Sequence, residues 1–432
     1  VKIFEGLFET KISGAYTAML LLTVVSLFLT QETVGFSAIG LSMGLWFLVW
    51  LAEGKFRSKF DLFRTSWLWP GIALYALYII GIFYSDIPKE AAMVIEHKIT
   101  MLLAPLLLGA GASLRKNHLG AALFVFVNTA LVASVVALIF ALKNGLAGQY
   151  ETQSVADFIT YEYLARAIGF QPIYLSLYLV FGFFALIALY RHKTFKGQWF
   201  YGNHLASVTA MVFIFLMVVL LSSRMELLVL FVSAGALLLW FVRDRKLVLK
   251  AFGLLFAVAL AGGAVIFSSE INRLRFKEMF DFNTDYTENV YGGRAIRLEK
   301  WKNAIECWQQ SPWIGVGTGD VQSELNKMYE KNGVDIALHY QYNTHNQYLG
   351  TLLTIGIPGL LVLLAWVGCW IWLGFGKRDL MMAAFASVIS LSIITENMLQ
   401  RQMGVVFIAL FSAMLITWHL RYFRADTVPN DR

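Results

Sequence analysis

Apolar runs, mostly 14 to 25 residues long, alternate with short polar connections along most of the chain. A membrane-crossing helix needs about 20 apolar residues, whereas the strands of a membrane barrel are alternating segments of roughly ten. The pattern predicts helical spans at 15–30, 33–52, 67–83, 99–112, 119–142, 172–190, 204–221, 227–242, 251–267, 345–375, 380–394 and 405–418. The first is expected to be a span and not a cleaved leader, because no small-residue cleavage site follows it. The fold class is therefore an all-α polytopic membrane protein with about 12 transmembrane helices. Residues 1–267 hold the first nine, 268–344 form one large polar loop, and 345–432 hold the last three.

One run breaks the simple pattern. Residues 204–242 are too long for a single crossing and are interrupted only by Ser222-Ser223-Arg224. These three are expected to form a tight turn at a membrane face. An arginine between two spans costs several kcal/mol unless an anionic group meets it, so Arg224 is a candidate for chemistry. The competing reading is a local ion pair with Glu226.

Composition agrees with the spans. Hydrophobic residues make up 58% of the chain and charged ones 15%, against roughly a quarter charged in soluble domains. The net charge of +7 suggests nucleic acid until its distribution is considered. With twelve spans and both termini on one side, that side carries 20 Lys and Arg and the short loops of the other carry 6. Basic charge marks the cytoplasmic side, so the protein is expected to be N-in and C-in, with the large loop outside and no nucleic-acid partner. Cys307 and Cys369 fall in the loop and in a span, which implies neither a disulfide nor a metal framework.

The outer side holds the complexity. Residues 268–344 are a 77-residue connection, and structureless loops of that length are uncommon. Inside it, 294–310 (RAIRLEKWKNAIECWQQ) has helical periodicity, with Trp301, Ala304, Ile305 and Trp308 on one stripe. Arg294, Arg297 and Trp301 share another face. The following WIGVGTGD places glycines at 315, 317 and 319. A structural turn is the favoured reading there over a phosphate-binding loop.

No HExxH, D-x-D or His/Cys cluster with metal-ligand spacing occurs. Arginines and histidines at membrane boundaries remain. Arg166, in YLARAIGFQP, reads alone as an interfacial side chain. Arg224 and Arg294 are candidate anion ligands, while Arg297, Lys300 and Lys302 read as a solvated helix face. His345 opens the tenth predicted span in NTHNQYLGTLLTIGIPGL, with Asn343 or Thr344 as the expected N-cap. Its position suits a base or hydrogen-bond donor near neutral pH; an interfacial aromatic is the bland alternative. His339, Asn346 and, despite its solvated reading, Arg297 are secondary candidates. Glu396 and Arg401, flanking the last outer turn, are expected to pair with each other as a structural contact. Together these describe an outer-face site rich in guanidinium groups, whose forks match phosphate oxygens bidentately. A lipid-borne pyrophosphate is the ligand class that fits.

LLSSR, then GGRAIRLEKWKNAIECWQQSPWIGVGTGD, then THNQYLGTLLTIGIPGL resembles the O-antigen ligase and O-antigen polymerase superfamily. That family's pattern is S-R at a span end, G-x-R or S-R opening a loop helix, a P-x-x-G-x-G turn, and H-N-x-x-L starting the next span. All four occur here in order, and RAIGFQPIYLSLYL resembles its earlier R-x-x-G segment. Gln171-Pro172 stands where the family usually carries an asparagine.

The resemblance implies a GT-C-like membrane fold with a periplasmic helical loop, in the bacterial inner membrane. It implies a cofactor-free, metal-independent glycosyltransferase of lipopolysaccharide biosynthesis. An O-antigen glycan would pass from undecaprenyl pyrophosphate to lipid A-core, with inversion at the anomeric carbon. Arg224 and Arg294 would hold the pyrophosphate with a contribution from Arg166, and His345 would activate or orient the acceptor hydroxyl. The single long outer loop favours a ligase over a polymerase. The alternative from another class is a transporter or flippase for a lipid-linked anion.

Overall fold

In the computed structural model, residues 4–54, 56, 59, 66–109, 114–146, 155–191, 203–268 and 294–423 are described. Among them there are helices and no strands. The longer helices are α1 Lys11–Ser26, α2 Ala38–Ala52, α3 Trp69–Ile80, α4 Pro88–Lys98, α5 Thr100–Gly109, α6 Asn117–Leu146, α7 Pro172–Arg191 and α8 His204–Leu220. They continue with α9 Arg224–Phe241, α10 Arg245–Ser268, α11 Arg294–Trp308, α12 Val321–Lys331, α13 Gln347–Ile371, α14 Leu380–Thr395 and α15 Gln402–Trp418. Among the described residues, six helical stretches are long and apolar enough to cross a membrane: Pro88–Gly109, Asn117–Leu146, Pro172–Tyr190, Arg224–Phe241, Gln347–Gly376 and Gln402–Tyr422. Shorter apolar helices accompany them, as a multi-pass membrane protein requires.

Helix ends follow capping chemistry more closely than hydropathy. α1 starts four residues before the predicted span because Thr10 and Ser13 form a reciprocal capping box. Ser37 caps α2 by accepting from the Gly40 N–H, which leaves 31–34 as a separate short helix. The predicted span at 99–112 is instead α5, preceded by α4. Pro88 at the first position starts α4.

α7 and α15 form the centre. The spanning windows of these two helices are 72% and 83% buried, against 33% for α6. Phe126 of α6 meets Tyr178, Phe181, Phe407 and Phe411 with ring centroids 5.0–5.9 Å apart. The rings interlock tilted or edge to face, the arrangement their quadrupoles favour. Peripheral helices turn Leu48, Val132, Leu205 and Leu239 outward.

The polar segment from 294 has a core of its own. Ile296, Ala304, Cys307, Leu325, Met328, Tyr329, Val334 and Ala337 pack together and onto Leu353 of α13. The predicted stripe on α11 is rotated: Ala304 is buried, but Ile305 is exposed, and Ile296, Lys300, Asn303 and Cys307 face inward. The segment packs on two sides, against α12 and against α13, so a single hydrophobic stripe does not describe it.

α13 is broken in its middle, where Ile355 and Gly356 leave helical geometry and Gly356 has φ 68°. The glycine turn fills the break. Val316 N–H donates to the Leu353 carbonyl at 2.9 Å and Gly317 N–H to that of Thr354 at 3.1 Å, while Ile357 N–H donates to the Pro312 carbonyl at 3.1 Å. A Cβ on Gly356 would lie 2.2 Å from the Trp313 carbonyl oxygen, and one on Gly315 would lie 2.5 Å from Thr354. These glycines permit backbone-to-backbone docking, and the N–H groups of Val316 and Gly317 are spent on α13. Irregular backbone at membrane depth is tolerated where protein satisfies it in this way.

Candidate active site

The turn entering α13 and the turn leaving α14 meet at one end of the bundle. Asn346, and neither Asn343 nor Thr344, caps α13, accepting from the Leu349 N–H at 3.1 Å. His345 therefore stands before the helix, not on it, at a left-handed φ of 43°. The Asn343 side chain holds this conformation by accepting from the His345 N–H at 2.9 Å. Such backbone strain persists only when surroundings over-determine it.

Those surroundings come mostly from the other turn. The Asn397 side-chain oxygen accepts from the Thr344 hydroxyl at 3.0 Å and from the Asn346 N–H at 2.9 Å. Gln347 accepts from the Leu399 N–H at 2.8 Å, and the Asn343 amide donates to Gln400. From α11, the Trp301 indole N–H donates to the Thr344 carbonyl at 3.0 Å. The result is a five-residue turn tied on two sides.

At its centre, His345 Nδ1 lies 3.0 Å from Glu396 Oε2. The side chains are 27% and 17% exposed, so the pair is reachable and partly desolvated. Glu396 is a candidate site residue that the sequence reading treats as structural. The expected Glu396–Arg401 pair does not form; Arg401 instead lies against the Gln171 amide, whose oxygen, turned toward the guanidinium, accepts from it at 2.9 and 3.2 Å. Burial pushes the Glu396 carboxyl up, but His345, the hydrogen bond to it and Arg297 outweigh burial and hold it below the usual carboxylate value. An acid just past an apolar run, in TENMLQ, was the available signal; its partner lies 51 residues away.

Two cations of α11 approach from above. Arg297 is half-buried, where burial lowers its affinity for the proton and Glu396 opposes that. Lys300 is 4% exposed, with its ammonium 4.4 Å from the Tyr342 ring centre. Burial first, and then Arg297, push it down to about 7 against the pull of Glu396. Both read as a solvated face in the sequence, and the structure corrects that. Their spacing of three places them on one side of α11, beside Glu396.

The remaining candidates divide. Arg224 is the first residue of α9, two residues after Ser222 at φ 49°, as the predicted tight turn requires. α9 packs along α14, which brings its first turn to the Glu396 end. Glu226 makes no ion pair with Arg224: it is fully buried, and neither carboxyl oxygen has a hydrogen-bond partner among the described residues. Arg294 opens α11, but its side chain lies outside the described residues. Arg166 is 71% exposed and paired with Glu162, with no described contact to His345. His339 is exposed at the end of a short helix, edge-on to Tyr340 at 4.8 Å. Asn346 is committed to its cap.

The pair has a defined chemical capacity. With Nδ1–H donated to Glu396, Nε2 keeps its lone pair and can accept a proton. The carboxylate fixes the ring and stabilises the imidazolium that results. Adjacent cations favour negative charge developing on a bound group. Among the described residues no group of three or more His, Cys, Asp or Glu side chains could hold a metal ion.

No curated protein matches the chain. The family model described as O-antigen ligase matches residues 209–364, a little over a third of the length, running from α8 through the His345 turn into α13. Proteins of this kind are glycosyltransferase-like ligases and polymerases acting on O-antigen. The match supports membership of this chain in the O-antigen ligase and polymerase superfamily.

Proposed function

We propose that the protein is an O-antigen ligase, transferring a glycan from undecaprenyl pyrophosphate to the lipid A-core oligosaccharide at the periplasmic face of the bacterial inner membrane. The observation that carries the reading is the His345–Glu396 pair, set beside the half-buried Arg297 and the buried Lys300. A transporter would need neither a base nor an activated leaving group.

The step follows from these groups. His345 Nε2 takes the proton from an acceptor hydroxyl as its oxygen attacks the anomeric carbon. The bond from that carbon to the pyrophosphate oxygen breaks, and its electron pair leaves with the pyrophosphate. Attack opposite the leaving group inverts the anomeric configuration. Arg224 and Arg294 hold the pyrophosphate, joined by Arg297 and Lys300. Each guanidinium donor is worth roughly 3–4 kcal/mol in the transition state, and Lys300, whose charge is disfavoured by burial, less. Arg166 would have to leave Glu162 to join them, so its share is secondary.

The test is transfer by purified protein from undecaprenyl-pyrophosphate glycan to lipid A-core in EDTA, beside His345→Ala and Arg224→Ala. Transfer by the parent, abolished in both variants, is expected. Chain growth on the lipid-linked repeat without transfer to core would make the protein a polymerase. Neither activity, with lipid-linked glycan still bound, would favour a transporter. A product that retains the donor configuration would overturn the direct displacement.

A further inference from the structure

A cavity of about 160 Å³ adjoins the Asn397 clamp, lined by Lys98, Glu90, Val94, Gln322, Asn343, Asn397 and Gln400 among others. Whole-ligand pockets are typically about 300–1,000 Å³, so this one suits a single small ring. Its polar groups are not all consumed by the fold. Lys98 is buried, donates to the Leu399 carbonyl and lies 4.7 Å from the Tyr78 ring centre. An ammonium has three donors, and no carboxylate lies within ion-pair distance of it among the described residues.

Asn397 spends its oxygen on the Thr344 hydroxyl and Asn346 N–H, while its amide nitrogen makes no hydrogen bond among the described residues. The Gln400 oxygen accepts from Asn343 and its nitrogen is likewise unused. Of these unused donors, those of Lys98 and Asn397 are buried and that of Gln400 is exposed. The exposed carboxylate of Glu90 lines the same cavity, eight residues from Lys98 on α4, about 12 Å along the helix at 1.5 Å per residue. Hydroxyl groups both donate and accept, so a polyhydroxylated ring can satisfy the donors and the carboxylate together.

We propose that this cavity is a saccharide subsite that holds one sugar ring of the acceptor. The inference rests on the glycan-transfer reading above. The same Asn397 amide clamps the His345 turn with its oxygen, leaves its nitrogen uncommitted, and belongs to a residue that lines the cavity. A ring held there is thus registered against the residue that must meet the attacking hydroxyl. Lys98, Gln400 and Asn397 select the acceptor by its hydroxyl pattern; they are positioning residues and take no part in bond making.

The experiment measures binding of lipid-free core oligosaccharide and of lipid-free O-antigen oligosaccharide to the full-length protein in detergent. Gln322→Leu and Val94→Trp are compared with the parent; the second fills the cavity from α4. Core oligosaccharide is expected to bind the parent and to weaken about tenfold in both variants. In the transfer assay, KM for the acceptor rises about tenfold while kcat and donor KM stay within twofold. Binding of the O-antigen oligosaccharide alone, lost in the variants, would make this a donor subsite and overturn the assignment. Unchanged binding and KM in both folded variants would overturn the subsite. Displacement of bound core oligosaccharide by inorganic phosphate would replace it with an anion site. A parent that binds core in this variant-sensitive way yet transfers nothing would refute the enzymatic reading and leave the subsite standing.

Discussion

α14 carries a histidine–carboxylate pair at each end, and the two are built for different purposes. At its start, Asp379 caps the helix, accepting from the Met381 and Met382 N–H groups at 3.1 Å, and meets His419 Nδ1 at 2.8 Å. That pair is sealed: His419 is 0% and Asp379 5% exposed. At its finish, Glu396 meets His345 Nδ1 at 3.0 Å, with 27% of His345 exposed. Ring atom and partner type are the same in both. What differs is access, the strained backbone at His345, and the cations Arg297 and Lys300 nearby. A buried pair ties elements together, here the start of α14 to the end of α15. A half-buried pair beside unneutralised cations can exchange a proton with something that arrives.

Swapping one mutation between the two ends gives the largest contrast. His345→Ala is expected to lower transfer by about 10²–10⁴-fold, the share of a positioned base, with little change in thermal midpoint. His419→Ala is expected to do the reverse, costing about 1–3 kcal/mol of stability by orphaning buried polar groups while the folded fraction keeps its turnover. Thermal melts in detergent beside transfer rates check both. A normal melt with lost turnover in His419→Ala would break the comparison.

The carboxylates sharpen it. Glu396→Gln removes the charge that orients His345 and is expected to cost on the order of 10²-fold in rate, less than loss of the base itself. Because the Glu396 carboxyl is held below its ordinary value, its contribution to stability is full above that ordinary value, about 4.3. It is lost as pH falls through the lower folded value. The difference in melting midpoint between the parent and Glu396→Gln should therefore be constant near neutrality and vanish in acid. A difference that persists unchanged into strong acid would mean the pair is not ionic. Arg297→Gln is expected to cost a comparable 10²–10³-fold in kcat, as an electrostatic donor does, and to leave acceptor KM unchanged.

The two ends were unequally legible. Apolar runs marked out the long apolar helices, because a helix that must satisfy its backbone internally in lipid announces itself by length and composition alone. Caps moved the boundaries by several residues, as at Thr10 and Ser37. At the site, His345 and the Arg224 turn were readable, since each interrupts or borders an apolar run. Glu396 was visible but misassigned, because its nearest cation in sequence, Arg401, is not its partner. Arg297 and Lys300 read as solvated since α11 alone cannot reveal that it packs on two sides. Those three were hidden for one reason: their partners are set by tertiary contact across 42 residues or more, as from Lys300 to Tyr342, not by local pattern.

Lys300 offers the smallest effect and the most specific one. Its value of about 7 lies below its ordinary 10.5, so between those limits the unfolded chain holds more protons than the folded one, and stability rises with pH. Below pH 7 both states are charged and the burial penalty is complete. Lys300→Met removes the penalty, so the variant should melt above the parent at pH 6, with the gap narrowing through pH 7 and closing near 10.5. The same variant should transfer about tenfold more slowly, because a pyrophosphate beside the ammonium would restore the charge that the empty site disfavours. A stability gap that does not depend on pH would place Lys300 with His419, as a packed structural cation over Tyr342. A pH-dependent gap together with slower transfer would place it with His345, at the end of the helix where charge is left unmet for a substrate to satisfy.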